Sequence, residues 1–175
     1  MKYLVISDIH GDLTSVEFLQ ELNKKENFDK ILLLGDVLYH GPRNDLPKGY
    51  NPKGCIKILN EIKDKILCIK GNCDAEVDQM VLEFKINDYL DLNINGLKAH
   101  LEHGHHLDLY NGKSDIILSG HTHIPVLEKE NDVIHLNPGS ISIPKNGSKR
   151  DFAIWNDNNI TIYDMDMNIV KTLNY

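Results

Sequence analysis

Five short segments of this chain carry side chains that ligate metal ions, and each sits where an extended run should stop. They are Asp8-Ile9-His10, Gly35-Asp36, Gly71-Asn72, His103-Gly104-His105 and Gly120-His121-Thr122-His123. Together they offer carboxylates, imidazoles and one amide, enough for two metal ions sharing a carboxylate. Cations held in that way polarise phosphoryl oxygens and make water nucleophilic. The chemistry implied is metal-assisted hydrolysis of a phosphate ester. The mixed nitrogen and oxygen donors suit manganese, iron, cobalt, nickel or zinc, with geometry deciding among them.

Each segment alone says little. An Asp after a strand commonly caps a helix or forms a turn, which would account for Asp8 or Asp36. Asn72 after Gly71 fits a turn residue at positive φ. It is the order and placement of seven candidates that favour a metal site. Four of the segments follow apolar strands, after Val5-Ile6, Leu33-Leu34, Ile69-Lys70 and Leu118-Ser119. In open α/β sheets ligands bind at the carboxyl ends of strands, so the segments are expected to converge on one rim. An extended Asp8/His10 step would point both side chains to one side, and the same holds for His121/His123.

The elements that must position them can be read in outline. The runs at 3–7, 31–34 and 66–69 suit buried parallel strands. Between them, Leu13, Val16, Leu19 and Leu22 repeat at helical spacing, with Asp12 or Thr14 as cap. Asn51-Pro52 opens a second helix bearing Cys55, Ile56, Leu59 and Ile62 on one face. This βαβαβ order implies right-handed crossovers. Residues 40–54 are irregular and rich in proline and glycine. The second half reads as strands. Asn95-Gly96 joins 89–94 to 97–101, and Asn131-Asp132 joins 126–130 to 133–137. Residues 116–119 form a short apolar run, and 152–155, 160–163 and 169–173 form a closing antiparallel meander. Two mixed sheets face to face, with helices outside, account for this order in one domain over residues 1–175.

Composition narrows the partners. With 19 basic and 26 acidic residues the formal charge is −7, which does not attract nucleic acid or an anionic membrane. The three cysteines, Cys55, Cys68 and Cys73, include no CxxC pair and argue against a disulfide framework. Met1-Lys2 runs directly into Tyr3-Leu4-Val5-Ile6, too short an apolar stretch for a secretory signal, and no stretch reaches membrane-spanning length. The expected location is the cytoplasm.

In order and spacing these segments resemble the calcineurin-like metallophosphoesterase superfamily, whose pattern is D-x-H, G-D, G-N, H-G-H and G-H-x-H. Leu34-Gly35-Asp36-Val37-Leu38-Tyr39-His40-Gly41-Pro42-Arg43-Asn44, Gly71-Asn72-Cys73-Asp74 and Asn137-Pro138-Gly139-Ser140 resemble in particular its YfcE-type branch of small bacterial phosphodiesterases. The resemblance implies a four-layer αββα sandwich, two mixed sheets flanked by helices. It implies two divalent metal ions, manganese first, with nickel, cobalt, zinc or iron as alternatives. Asp8, His10 and His123 would hold one, Asn72, His103 and His121 the other, and Asp36 would bridge them. A hydroxide between the metals would attack a small phosphodiester in line. The alternatives are a phosphomonoesterase of the same fold, or a non-catalytic scaffold such as the eukaryotic retromer subunit that is similar in fold. Self-association as a homodimer or homotetramer through 74–94 is a further expectation.

Other candidates have two readings each. Many superfamily members place a His after the motif Asn; here Cys73 is either a weak acid for the leaving group or a small filler. Arg43 either forks onto phosphate oxygens or is a solvated loop charge. His40 lines the substrate cleft or caps its loop, and His105 contacts phosphate or donates a proton. His106 reads as exposed and idle, and His100 and His135 as structural. Asn137 and Ser140 are expected to orient the ligating histidines. Cys55 and Cys68 belong in the core.

Overall fold

In the computed structural model, which describes residues 1–175, the apolar runs of the first half are short strands buried on both faces. Strand β1 (Tyr3–Ile6), helix α1 (Leu13–Glu26), β2 (Lys30–Leu33), α2 (Pro52–Glu61) and β3 (Ile66–Ile69) form the expected βαβαβ unit. A six-residue helix α3 (Glu76–Val81) and a two-residue strand β4 (Ile86–Asn87) follow, neither of which the sequence pattern reveals. Next come β5 (Leu90–Ile94), β6 (Leu97–Leu101), β7 (Ile116–Leu118), β8 (Val126–Glu130) and β9 (Val133–Asn137). The chain closes with β10 (Asp151–Trp155), β11 (Asn159–Asp164) and β12 (Ile169–Asn174). A seven-stranded sheet has the order β12-β11-β10-β1-β2-β3-β4, and a five-stranded sheet the order β5-β6-β7-β9-β8. Both are mixed: β1 to β4 run parallel and β10 to β12 antiparallel, while β6, β7 and β9 run parallel between two hairpin partners.

Strand alternation divides the apolar residues between two cores. Leu4, Ile6, Ile31, Leu33, Cys68, Phe152 and Ile154 face α1 and α2, which contribute Val16, Leu19, Cys55 and Leu59. Tyr3, Val5, Leu32, Leu34, Ala153 and Trp155 point the other way, onto Ala99, Leu101, Ile116, Leu118, Ile134 and Leu136 of the second sheet. A period-two chain buried on both faces must read as an unbroken apolar run. Helix cover is uneven. Both long helices pack on the seven-stranded sheet, and a single 3-10 turn (Leu107–Leu109) stands beside the outer face of the other. Asp12, not Thr14, caps α1, accepting from Ser15 N at 3.1 Å. Asn51 caps α2 ahead of Pro52. No helix is long and apolar enough to cross a membrane.

The parallel strands deliver the site. β1, β2 and β3 end at one edge of their sheet, followed by Asp8 and His10, by Asp36, and by Asn72. β6, β7 and β9 end together in the other sheet, followed by His103, by His121 and His123, and by Ser140. Asp74 ties two of these ends together. Its buried carboxylate accepts from Asp36 N (2.8 Å), Val37 N (2.7 Å) and Gly71 N (2.7 Å). Gly71 is required there, because a Cβ would collide with the Asp36 carboxylate and backbone.

Asp74→Ala would strand three buried donors. It is expected to cost about 2–4 kcal/mol in urea denaturation and to weaken metal binding about 10–100-fold. A second carboxylate gives a pH signature. Asp151 lies opposite Asp164 on neighbouring strands, is buried, and has no hydrogen-bond partner on either oxygen. Burial, and then the Asp164 charge, push its pKa up to about 6, against the pull of Lys149. The native chain therefore holds a proton that the unfolded chain has lost, and stability contributed by that proton falls as pH rises through 4 to 6. Asp151→Asn is expected to raise stability at pH 7.5 by about 1–2 kcal/mol, with the gain shrinking below pH 5 in denaturant titrations.

Candidate metal centre

The structure brings all seven candidate ligands together, by backbone turns and not by strand alternation. Asp8 (φ 56), His10 (φ 50), Asp36 (φ 54), His121 (φ 67) and His123 (φ 60) all have left-handed backbone. The expectation that extended Asp8/His10 and His121/His123 steps align their side chains is thus corrected. Each pair converges because the chain turns sharply at both members. Asn72 is not among the positive-φ residues. Such conformations are uncommon for residues with a Cβ, Asp and His being among those that visit them most. Their clustering at one rim is backbone strain of the kind found at functional sites.

Backbone carbonyls set the imidazoles. His10 Nδ1 donates to Tyr39 O (2.8 Å), His103 Nδ1 to Leu34 O (2.6 Å) and His123 Nδ1 to Ile143 O (2.5 Å). A carbonyl only accepts, so Nδ1 carries the proton and, in the neutral ring, each Nε2 lone pair is free. These lone pairs face inward. His10 Nε2 and His123 Nε2 are 3.2 Å apart, and His123 Nε2 is 3.3 Å from Asp8 Oδ1. His103 Nε2 lies 3.4 Å from Asp36 Oδ2 and 3.2 Å from Asn72 Oδ1. His121 turns Nδ1 to Asn72 Oδ1 at 2.7 Å. Wherever both atoms of such a pair are unprotonated they repel one another unless a cation sits between them. Two ligand atoms at metal–nitrogen distance from one ion are about 3.0–3.4 Å apart, which the His10–His123 spacing matches.

The carboxylates complete the set. Asp8 Oδ1 is buried and has no hydrogen-bond partner, while Oδ2 accepts from His121 N. Burial opposes the charge on Asp8, but contacts with His10 and His123 outweigh it and hold the group far below the usual carboxylate range. Asp36 shows the same balance with His103, and Oδ1 accepts from Cys73 N at 2.8 Å. Against burial, these two carboxylates push His103 up to about 9. Asp8, His10 and His123 form one cluster of donor atoms, and Asp8, Asp36 and His103 another. Asp36 Oδ2 is 3.7 Å from His10 Nε2 and 3.4 Å from His103 Nε2, between the two halves. A buried orphan oxygen, fixed tautomers and facing lone pairs fit a divalent cation, and the number of donors fits two.

The surroundings were less legible. Asn137 Nδ2 donates to Gly120 O (2.6 Å) and Thr122 Oγ1 (3.1 Å), and Ser140 Oγ to Asp8 O (2.8 Å). They hold the backbone on which Asp8, His121 and His123 stand. Arg43 and Cys73 line the cleft over Asp36 and Asn72. His40 does not line it: its ring packs edge-on against Tyr39 and Tyr50. His105 lies beyond Asn72, 5.5 Å from the His103 ring, and lines a neighbouring cavity. Lys145 also lines the cleft and was missed, as was the Asp74 clamp. Only the position of Lys145 in the loop after Asn137-Pro138-Gly139 could have signalled it.

Comparison with known proteins agrees with this geometry. Residues 1–159 match the calcineurin-like phosphoesterase superfamily domain. The chain is 39% identical to phosphodiesterase YfcE of Escherichia coli over 167 residues, covering 93% of this chain and 91% of that protein. The solved structure of that phosphoesterase superimposes with a TM-score of 0.95 at 37% identity, covering 99% of both chains. Phosphodiesterase MJ0936 of Methanocaldococcus jannaschii is 27% identical, covering 79% of this chain and 83% of that one. Vps29 of Entamoeba histolytica, solved with zinc, shares the fold with a TM-score of 0.64 at 21% identity over 99% of both. The chain belongs to the calcineurin-like phosphoesterase superfamily.

Proposed function

We propose that this protein is a dinuclear metal-dependent phosphodiesterase. The observation that carries the reading is the set of inward-facing imidazole lone pairs around the unpartnered Asp8 Oδ1. Asp8, His10 and His123 would hold one cation and Asn72, His103 and His121 the other, with Asp36 serving both. Two such ions, manganese by family resemblance, would supply Lewis acidity and a water made nucleophilic near neutral pH for in-line displacement at phosphorus.

The chain's own groups do the rest. Asn72 is exposed and His121 partly so, which leaves this half of the centre open to a phosphate while Asp8, His10 and His123 stay buried. Arg43 and Lys145 stand at the lip of the cleft, where cations bind non-bridging phosphate oxygens. Neither nearby acid is strong. Burial and Asp36 push the Cys73 thiol up to about 12. Burial, then His103 and His106, hold His105 below the ordinary imidazole value, so it is mostly neutral at pH 7. The leaving alcohol then takes its proton from water, and esters with good leaving groups react best.

The test is hydrolysis of bis(p-nitrophenyl) phosphate by metal-stripped protein supplied separately with manganese, nickel, cobalt, zinc, iron or magnesium, beside the monoester p-nitrophenyl phosphate. Activity is expected with a transition metal and higher kcat/KM on the diester; the reverse preference would make it a monoesterase. Asp36→Asn and His121→Ala are each expected to lower kcat at least about 100-fold. Cys73→Ala should stay within about threefold on this substrate, since its thiol holds its proton too tightly to act as the acid.

A further inference from the structure

The two halves of the candidate centre are supported differently. Asn72, His103 and His121 make no hydrogen bond to residues 140–150. Asp8 and His123 both do. Ser140 Oγ and Ser142 Oγ donate to Asp8 O at 2.8 and 3.0 Å, and Ile141 N donates to Ser7 O at 3.2 Å. Ser140 Oγ in turn accepts from Ile143 N at 2.8 Å, and the carbonyl of that same residue accepts from His123 Nδ1. The turn at 140–143 therefore touches two proposed ligands of one ion, at the main chain of Asp8 and at the ring of His123.

One side chain joins this turn to the turn that carries Asp8 and His10. Arg150 stands just before β10, whose antiparallel pairing with β1 sets it beside the end of β1. Its Nε donates to Ile141 O at 2.8 Å. Its Nη2 donates to Asp12 Oδ2 and to Ser15 Oγ, the latter at 2.7 Å. Asp12 closes the 8–12 turn: its N–H donates to Ile9 O at 3.0 Å, and its carboxylate caps α1. A guanidinium presents its donors in one rigid plane, so the Ile141 carbonyl and the Asp12 carboxylate are held at a fixed separation. The helix cap does not depend on this fork, because Asp12 also accepts from Ser15 N and Thr14 Oγ1. What the fork alone supplies is the tie between the two turns.

We propose that Arg150 is a positioning residue for the Asp8, His10 and His123 half of the centre, acting through the 8–12 and 140–143 turns and not on the half formed by Asn72, His103 and His121. The inference rests on the two-ion reading of the centre, and not on hydrolysis. The sign of the effect separates position from charge. A guanidinium acting through space repels a divalent cation, so its removal would tighten binding, whereas loss of the fork is expected to loosen it. Manganese titration of the metal-stripped full chain tests this, with the free ion read by electron paramagnetic resonance. Arg150→Met is expected to weaken one of the two equivalents at least about tenfold and to leave the other within about threefold. Two backgrounds identify the half. The ion retained by His121→Ala is expected to weaken when Arg150→Met is added, and the ion retained by His10→Ala is not. Arg150→Lys keeps the charge without the fork and is expected to follow Arg150→Met. Equal weakening of both equivalents, which a general loss of stability would give, overturns the proposal. So does unchanged or tighter binding, wild-type affinity in Arg150→Lys, or weakening confined to the His10→Ala background. A wild type that binds one ion overturns the two-ion reading alone; the brace then stands if Arg150→Met weakens that ion and falls if it does not. A chain that binds both ions and hydrolyses nothing loses the hydrolase reading alone.

Discussion

Two carboxylates and three imidazole lone pairs are forced into one buried volume, and the rest of the molecule is organised around that constraint. Without a cation, Asp8 and Asp36 repel each other, and His10 Nε2 faces His123 Nε2 across 3.2 Å. The protein keeps them there by giving every outward atom a partner. Each buried imidazole donates Nδ1–H to a main-chain carbonyl, and main-chain N–H groups hold the second oxygen of Asp8 and the first of Asp36. What is left over points inward and is electron-rich. Unsatisfied acceptors of this kind favour a divalent cation, and because the two carboxylates hold His103 near 9 in the metal-free chain, its Nε2 would have to release a proton before it could ligate one.

Holding such a cluster requires rigid supports on both sides, and the double-sheet architecture provides them. Six parallel strand ends from two sheets meet at one rim. The strands cannot slip, because a one-residue shift would exchange the residues of the helix-side core with those of the core between the sheets. The remaining freedom lies in the turns after the strands. There the left-handed Asp and His residues, the Asp74 clamp and the Ser140 bond to Asp8 O fix the backbone directly. Strain at five residues in three turns is tolerated because the flanking strands over-determine their ends.

This division explains what was legible in the sequence. The strands were, since runs such as Ile31-Leu32-Leu33-Leu34 admit few other fates between polar punctuations. So were the hairpins, where Asn95-Gly96 and Asn131-Asp132 supply the left-handed residues that tight turns need. The candidate ligands were legible because each follows a strand. The mode of convergence was not: Asp8 and His10 are two apart in either an extended or a left-handed segment, and spacing does not separate the two. Helix α3 lacks an apolar stripe, burying only Asp78, so periodicity has nothing to detect. Asp74 reaches Asp36 across 38 residues through backbone N–H groups that no side-chain pattern encodes.

His100 shows how an unremarkable strand residue acquires meaning from neighbours. In sequence it is one polar position in Leu97-Lys98-Ala99-His100-Leu101, with no partner in sight. In the fold it stands on the outer face, where no α-helix covers the five-stranded sheet, and carries Asp91 from the next strand, Tyr110 from the following loop and Glu102 beside it. A helix over this face would have buried the ring and its carboxylates in a satisfied core. Leaving the face to a 3-10 turn keeps a cavity open there, and Asp88 and His106 line both it and the cavity beside Asn72. In a chain of net charge −7 this face is acidic and aromatic, with Asp88, Asp91 and Glu102 beside Tyr89 and Tyr110.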